Sequence, residues 1–363
     1  MIIDIHTHTF PPLGSMCGED PPELQMRFLQ HHLYFHHQGW YCEQTKQITL
    51  EPSLYDSDKP GINGMRDVDF RVGGFGRLMY TDNGENFWIQ WLPPSFRELE
   101  CTPELLLANM DYVGIDFAVL CPTHIYGELN EYTSNCVRSY PYRFVGIAAI
   151  REWRGFEGDE IARLTRAVEE MGLIGLHFAT EAFFMVDYLE DWSSKRFDPL
   201  WKEVERLNIP VFWDIFSWGN DPWAQWKLEA KRLSDWANRF SQIPSLITHG
   251  LPILRWEHSA DHVVIPDFIW ELYRRPNIYV EVMLPGQLGQ EYEYPYPIAK
   301  TILYELHQEL GPHKLVWGSD LPTIERMVTY RQSLEYLKYC DFLNEEDYGL
   351  LTGGNAKRLL KLS

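Results

Sequence analysis

A closed (β/α)8 barrel of the TIM type, with a long insertion after its first strand, is the fold the sequence predicts. Three observations predict it. Eight short apolar runs rich in β-branched residues recur along the chain, helix-length segments separate most of them, and residues able to bind metal or move protons fall at the C-terminal ends of the runs. A doubly wound open sheet is the competing arrangement, but no G-x-G-x-x-G follows the first run, so a dinucleotide fold has no support.

The first run, Met1 to Ile5, reads as a strand buried on both faces that starts almost at the first residue. It ends in His6-Thr7-His8. Side chains of an extended segment alternate, so His6 and His8 project the same way, roughly 7 Å apart at two strand rises, and can share one metal ion. An arbitrary H-x-H is more often two surface or core histidines. At the C-terminal end of a first barrel strand, where such folds place their chemistry, a ligand pair is the better reading.

Positions 11–100 carry Pro11-Pro12, Pro21-Pro22, two histidine pairs and a glycine-rich patch at Gly73-Gly74-Phe75-Gly76, without clear periodicity. The stretch is too long for a plain connection and reads as an insertion with folds of its own. It follows the first strand on the side of His6 and His8, so it is expected to be a lid or substrate cap, or else a dimerisation arm. The expectation is one barrel domain over 1–363 with 11–100 as its cap. His31, His32, His36 and His37 have helical spacing, but no carboxylate or cysteine frames them in the sequence, and they read as solvated or interface histidines.

Thr102 is a candidate N-cap for a helix over 103–114. Seven more strands are expected at Phe117 to Cys121, Phe144 to Ile150, Ile174 to Phe178, Val211 to Asp214, Leu246 to His249, Ile278 to Val282 and Leu315 to Trp317. Helices are expected over 159–171, 199–208, 221–240, 266–275 and 298–310, and a last one including 355–360 packs outside the barrel.

Bulk properties narrow the function. With 52 acidic against 32 basic residues the formal charge is -20, which argues against nucleic acid and anionic membranes as partners. Mean hydropathy is -0.32 and no apolar run approaches about 18 residues, so no membrane span is expected. A strand beginning at Ile2, with no basic segment before it, leaves no room for a cleavable leader, and a cytoplasmic protein is expected. The six cysteines are scattered and read as reduced packing thiols. Aromatic residues make up 15% of the chain, and Trp213, Trp218, Trp223 and Trp226 fall in or near inferred loops, where they can wall a pocket or a subunit interface.

If the strands close into a barrel, the residues at their C-terminal ends share one mouth. These are His6 and His8 on strand one, His177 on strand four, Asp214 on strand five, His249 on strand six, Glu281 on strand seven and Asp320 after strand eight. So many titratable groups aimed at one rim call for a cation or a substrate to hold them. A divalent ion with nitrogen and oxygen donors fits, with His6, His8, Asp320 and Asp214 as candidate ligands. His249 is placed to accept or deliver a proton, for which imidazole titrates in the right range.

The opening DIHTH, the phrase MDYVGIDFAVL, the strand-six THG, the strand-eight WGSDLP and the terminal GGNAKRLL together resemble the amidohydrolase superfamily. The similar branch is that of aminocarboxymuconate semialdehyde decarboxylase and related aromatic acid decarboxylases. The resemblance implies a distorted barrel holding one Zn or Mn ion, often in a homodimer. It implies metal ligation by His6, His8 and Asp320 and an acid/base role for His249; in a decarboxylation His249 or Asp320 is expected to manage the proton that replaces CO2. One departure matters. That branch normally ends its fifth strand in a histidine ligand, where this chain has Asp214. Asp214 either ligates the ion, which favours a harder metal such as Mn, or the site binds metal weakly or not at all and Asp214 pairs with His249 or a substrate group.

His177 stands where some members of the wider superfamily carry a lysine bridging two metals; a histidine there implies one metal, with His177 a substrate contact or supplementary ligand. Glu281 can touch substrate or orient a histidine ligand. Trp213, Trp218 and Arg255 complete the expected substrate contacts. The leading expectation is non-oxidative decarboxylation of an aromatic or unsaturated carboxylic acid, a small molecule. The alternative is metal-dependent hydrolysis of a lactone, amide or related bond. An arginine in the pocket, from Arg66, Arg71, Arg77 or Arg255, favours the first; a neutral tryptophan-rich pocket favours the second.

Overall fold

The computed structural model describes residues 1–363 except 17, 19, 37, 38, 60, 217–221, 289–292 and 363. Eight parallel strands form the central layer: β1 (Ile3–Thr7), β2 (Phe117–Leu120), β3 (Phe144–Gly146), β4 (Leu176–Ala179), β5 (Val211–Asp214), β6 (Ser245–Ile247), β7 (Ile278–Glu281) and β8 (Leu315–Val316). They pair in chain order as two runs, β1-β2-β3 and β4-β5-β6-β7-β8. Backbone bonds join the runs at both seams. Ala148 N–H donates to Gly175 O (2.8 Å) and His177 N–H to Ala148 O (2.7 Å), while Asp320 N–H donates to His6 O and His8 N–H to Leu321 O (both 2.8 Å). The ring is thereby closed, and each expected strand is present, some a few residues shorter.

Alternation along the strands sorts the core. On β5, Phe212 packs inside the barrel with Ile5, Val119, Leu246 and Val316. Trp213, one residue on, points the other way into the layer beneath the helices, against Trp192, Trp201 and Trp236. Around the ring lie helices at Pro103–Val113, Gly158–Glu169, Asp198–Leu207, Pro222–Arg239, Asp267–Tyr273 and Pro297–Leu310. The first begins where expected, with the Thr102 hydroxyl accepting from Leu105 N–H, and ends at Gly114 in the left-handed conformation (φ 91°) that a side chain would strain. The longest barrel helix absent from the expectations is Asn130–Ser139. Its polar sequence has poor intrinsic propensity, and tertiary packing holds it: Cys136 lies in the core, and the Ser134 hydroxyl donates to Met171 O (2.7 Å).

The insertion folds as a helix and a small antiparallel sheet. Helix α1 (Pro22–His36) is followed by five short strands in the order Ile48–Thr49, Trp40–Cys42, Glu85–Gln90, Arg77–Asp82 and Arg71–Gly74. The last hairpin turns through Asn83 (φ 50°) and Gly84 (φ 80°), the left-handed pair an Asn-Gly turn requires. Leu29 and Leu33 of α1 pack with Trp40, Leu78 and Tyr80 of the sheet. Phe28, on another side of the helix, packs on His124, Trp153 and Phe184 of the barrel rim. The helix is therefore held between the small sheet and the barrel. Among the described residues no helix is long and apolar enough to cross a membrane.

One buried carboxylate ties the first strand to the last loop. Asp4 accepts from Ser319 N–H (3.0 Å), Ser319 Oγ (2.5 Å), Tyr330 Oη (2.7 Å) and His6 N–H (3.2 Å). This clamp sets the segment 317–321, and with it Asp320, against His6. In an Asp4→Asn variant one acceptor oxygen becomes an NH2 that faces hydroxyl donors. The expected loss is about 1–3 kcal/mol of stability, read as a lower denaturant midpoint with unchanged slope. An unchanged midpoint would show that the clamp carries no load.

Candidate metal centre

The two histidines of β1 are aimed by partners that occupy one nitrogen of each ring. His6 Nδ1 lies 3.1 and 3.2 Å from the two oxygens of Glu281, at the end of β7. His8 Nδ1 lies 2.6 Å from Cys121 O, just beyond β2. A carbonyl can only accept, so His8 Nδ1 carries the proton and Nε2 presents its lone pair. That Nε2 is 2.8 Å from Asp320 Oδ1. A lone pair facing a carboxylate oxygen at this distance calls for a proton between the two, on the ring or on the carboxyl, or for a cation. Burial pushes the His8 pKa down, which disfavours the doubly protonated ring. A metal ion resolves the conflict.

His6, His8 and Asp320, all buried, have ligand atoms within 4.8 Å of one another. The His6 and His8 ring centroids are 4.9 Å apart, and the pairing of β1 with β2 shifts register between Asp4 and Thr7, the kind of irregularity that re-aims side chains at a barrel rim. Glu281 behind His6 completes a carboxylate–histidine pair of the sort that fixes a ligand's tautomer. Its close approach depends on Gly318, where a Cβ would fall 2.0 Å from Glu281 Oε1.

His249 stands beside this group with its own orienting carboxylate. Its Nδ1 is 3.1 Å from Asp214 Oδ1, and its Nε2 is 3.9 Å from Asp320 Oδ2. His249 (φ 60°) and Asp320 (φ 61°) both adopt the left-handed backbone conformation, which costs a non-glycine residue roughly 1–3 kcal/mol and persists only where surroundings impose it. Here Glu281 accepts from His249 N–H, Gln287 donates to His249 O, and His6 O accepts from Asp320 N–H. Charges are correspondingly coupled. Burial opposes ionisation of both, yet neighbouring imidazoles lower the Asp320 carboxyl, and Asp214, Asp320 and Glu281 push His249 up to about 10.

The remaining expected residues divide clearly. Asp214 sits against His249 and 3.8 Å from His177 Nε2, outside the group formed by His6, His8 and Asp320. His177 is almost fully buried, and desolvation takes its pKa down to about 3. Arg255 lines the cavity in front of the centre. Trp213 corrects an expectation: it is 0% exposed, with its indole N–H on Ser245 Oγ (3.2 Å), because the residue next to inward-facing Asp214 must face the helices. Glu281 is likewise fully buried and serves His6 and His249 rather than facing the cavity. Trp218 lies outside the described residues. Arg66 pairs with Asp82, Arg71 with Asp69, and Arg77 stacks over Trp88, so none of the three reaches the cavity.

The cavity has a volume of about 610 Å³ and opens above the centre. One contributor to its wall, Arg326, was not expected, and the insertion contributes there on the side where a cap was expected. Arg326, six residues beyond Asp320, follows from the strand-eight phrase once that loop is seen to turn back over the mouth. The insertion supplies His32, Phe35, His36 and Trp91. The histidine cluster of α1 is also not merely solvated: Glu181, after β4, bonds His31 Nδ1 (3.0 Å) and His32 Nδ1 (3.1 Å). That carboxylate comes from about 150 residues away, which no local reading could supply.

Comparison with known proteins bears on the fold and the family. No curated protein matches the chain in sequence. Among solved structures, a probable 2-pyrone-4,6-dicarboxylic acid hydrolase from Acinetobacter baumannii with citric acid bound superimposes with a TM-score of 0.53 at 19% identity, over 72% of this chain and 90% of that one. A 5-carboxyvanillate decarboxylase from Sphingomonas paucimobilis gives 0.52 at 14% identity, over 71% and 82%. A dihydroxybenzoic acid decarboxylase from Polaromonas sp. JS666, with bound manganese and 2-nitroresorcinol, gives 0.51 at 16%, over 71% and 85%. Identities this low establish the shared fold. The amidohydrolase family pattern, by contrast, matches residues 3–362, almost the entire length, and the chain therefore belongs to the amidohydrolase family.

Proposed function

We propose that this enzyme of the amidohydrolase family is a metal-dependent, non-oxidative decarboxylase of an aromatic or unsaturated acid bearing a second acidic group. The observation that carries the reading is the pairing, in one cavity, of the His6, His8 and Asp320 donor set with two arginines, Arg255 and Arg326. His6, His8 and Asp320 would hold one divalent ion, Zn or Mn, whose donors of two nitrogens and one oxygen leave room for substrate. When bound, such an ion supplies a Lewis acid that polarises an oxygen of the substrate.

The chain's own residues account for the rest. Arg326 lies within electrostatic reach of Asp320 and Tyr126, so a carboxylate it binds is held beside the centre. Phe35 and Trp91 wall the cavity from the insertion side, which supports reading the insertion as a cap that keeps water from the reacting carboxylate. Asp214 pins His249 by Nδ1 and leaves Nε2 toward Asp320 and the cavity. From there the Nε2–H proton goes to the carbon that bears the departing group. The C–C bond breaks, its electron pair returns to the unsaturated system, and CO2 leaves with the new C–H bond in its place.

The fold neighbours named above support an acidic substrate, since two are decarboxylases of aromatic acids and one is named for hydrolysis of a dicarboxylic acid. That last likeness keeps hydrolysis as the second reading, using the same groups. Incubating Zn- or Mn-loaded protein in D2O with carboxyl-13C-labelled hydroxybenzoates and pyrone dicarboxylates distinguishes the two. Decarboxylation yields labelled bicarbonate and one deuterium at the vacated carbon. Ring opening with the label retained would establish hydrolysis and contradict the proposal.

Asp320→Ala is expected to leave less than about a tenth of an equivalent of metal at the barrel centre after dialysis, and Glu281→Gln to weaken metal affinity about 10–100-fold. His249→Asn is expected to retain that metal while kcat falls about 10²–10⁴-fold; retention of full activity would remove His249 from the chemistry. For Arg326→Met, KM for the diacid is expected to rise about tenfold or more while the monoacid analogue is unaffected. Equal effects on both substrates would mean that Arg326 does not read the second acidic group.

A further inference from the structure

We infer that the cap carries a second divalent-metal site, formed by His32 and His36 of α1 with Glu181 after β4. His32 and His36 are one helical turn apart and present their rings on the same side of α1, with centroids 4.7 Å apart. Glu181 meets them from the barrel. One ligand atom from each residue falls within 4.8 Å of the others, the same closeness that marks the barrel centre. All three residues line the cavity that His6, His8 and Asp320 line.

Two features separate this cluster from an ordinary ion pair. The first is that Glu181 is fixed from behind. His31, 2% exposed and stacked on Phe184 with centroids 4.1 Å apart, sets its Nδ1 on Glu181 Oε1, while its Nε2 has no hydrogen-bond partner among the described residues. The polarity of this buried ring is therefore spent on orienting Glu181, and Oε2 is left on the His32 side at 3.1 Å. This is the arrangement by which a hydrogen-bonded outer partner orients a ligating carboxylate. The second feature is His36. It is exposed and lines the cavity, and among the described residues it makes ring contacts with His32 and Phe216 but no hydrogen bond. It adds an uncommitted nitrogen donor to a preset His–Glu pair.

Two imidazoles and one carboxylate suit a borderline ion such as Zn(II) and leave coordination positions open toward the cavity. The site would give the cap an ion of its own, on a wall built from a different part of the chain than the centre between β1 and the loop after β8.

Metal counting on the full-length protein tests this without reference to the reaction. Protein stripped with a chelator is dialysed against Zn(II), and bound zinc per chain is measured by elemental analysis. The wild type is expected to bind two equivalents. His36→Ala, at a cavity-facing position outside the packed core, and Glu181→Gln are each expected to bind one. Asp320→Ala is expected to bind one, and His36→Ala combined with Asp320→Ala none, with circular dichroism checking the fold of every variant. One equivalent in the wild type, unchanged by His36→Ala and abolished by Asp320→Ala, would overturn the cap site while leaving the barrel centre intact. One equivalent abolished by His36→Ala and untouched by Asp320→Ala would do the reverse.

Discussion

Buried charge at the mouth of the barrel is the constraint on which the rest of this structure depends. Glu281, Asp320 and Asp214 are withdrawn from water, and leaving a carboxylate there without a partner would cost several kcal/mol. Imidazoles stand against all three. The compensation is incomplete in one place. His8 has an acceptor at each ring nitrogen, and burial resists the second proton it would need. A divalent ion at that point would satisfy His8, His6 and Asp320 together.

Much of the remaining architecture serves to hold that arrangement. Closure of the ring places β1 beside β8, and the Asp4 clamp locks the loop after β8 to the strand bearing the two histidines. Glu281 reaches both His6 and the backbone of His249, so one residue of β7 couples the β1 histidines to the loop after β6. The left-handed conformations of His249 and Asp320 are consistent with this dependence. Local backbone energy is given up at the two positions where side-chain direction matters most.

The barrel was legible in the sequence because its signal is repetitive. Each strand is a short apolar run, and each run ends at the same rim, so His6, His8, His249 and Asp320 could be gathered from far-apart positions by topology alone. The insertion was not legible, because its strands are two to six residues long and pair across distant positions. Even there one signal was available, the Asn83-Gly84 turn flanked by alternating residues. Trp213 faces the helices because the two-residue period of a strand sets it opposite Asp214. Glu181 and Arg326 entered the site through tertiary contacts, and no spacing rule reaches from α1 to the turn after β4.

The central claim is a position in space, and diffraction at a metal absorption edge addresses it directly. Crystals of the Zn- or Mn-loaded protein should show an anomalous peak at about 2.0–2.3 Å from His6 Nε2, His8 Nε2 and an Asp320 carboxylate oxygen, with His249 Nε2 nearby but not ligating. A fully loaded crystal with no peak between those three residues, or with the ion held instead by Asp214 and His177, would contradict the account.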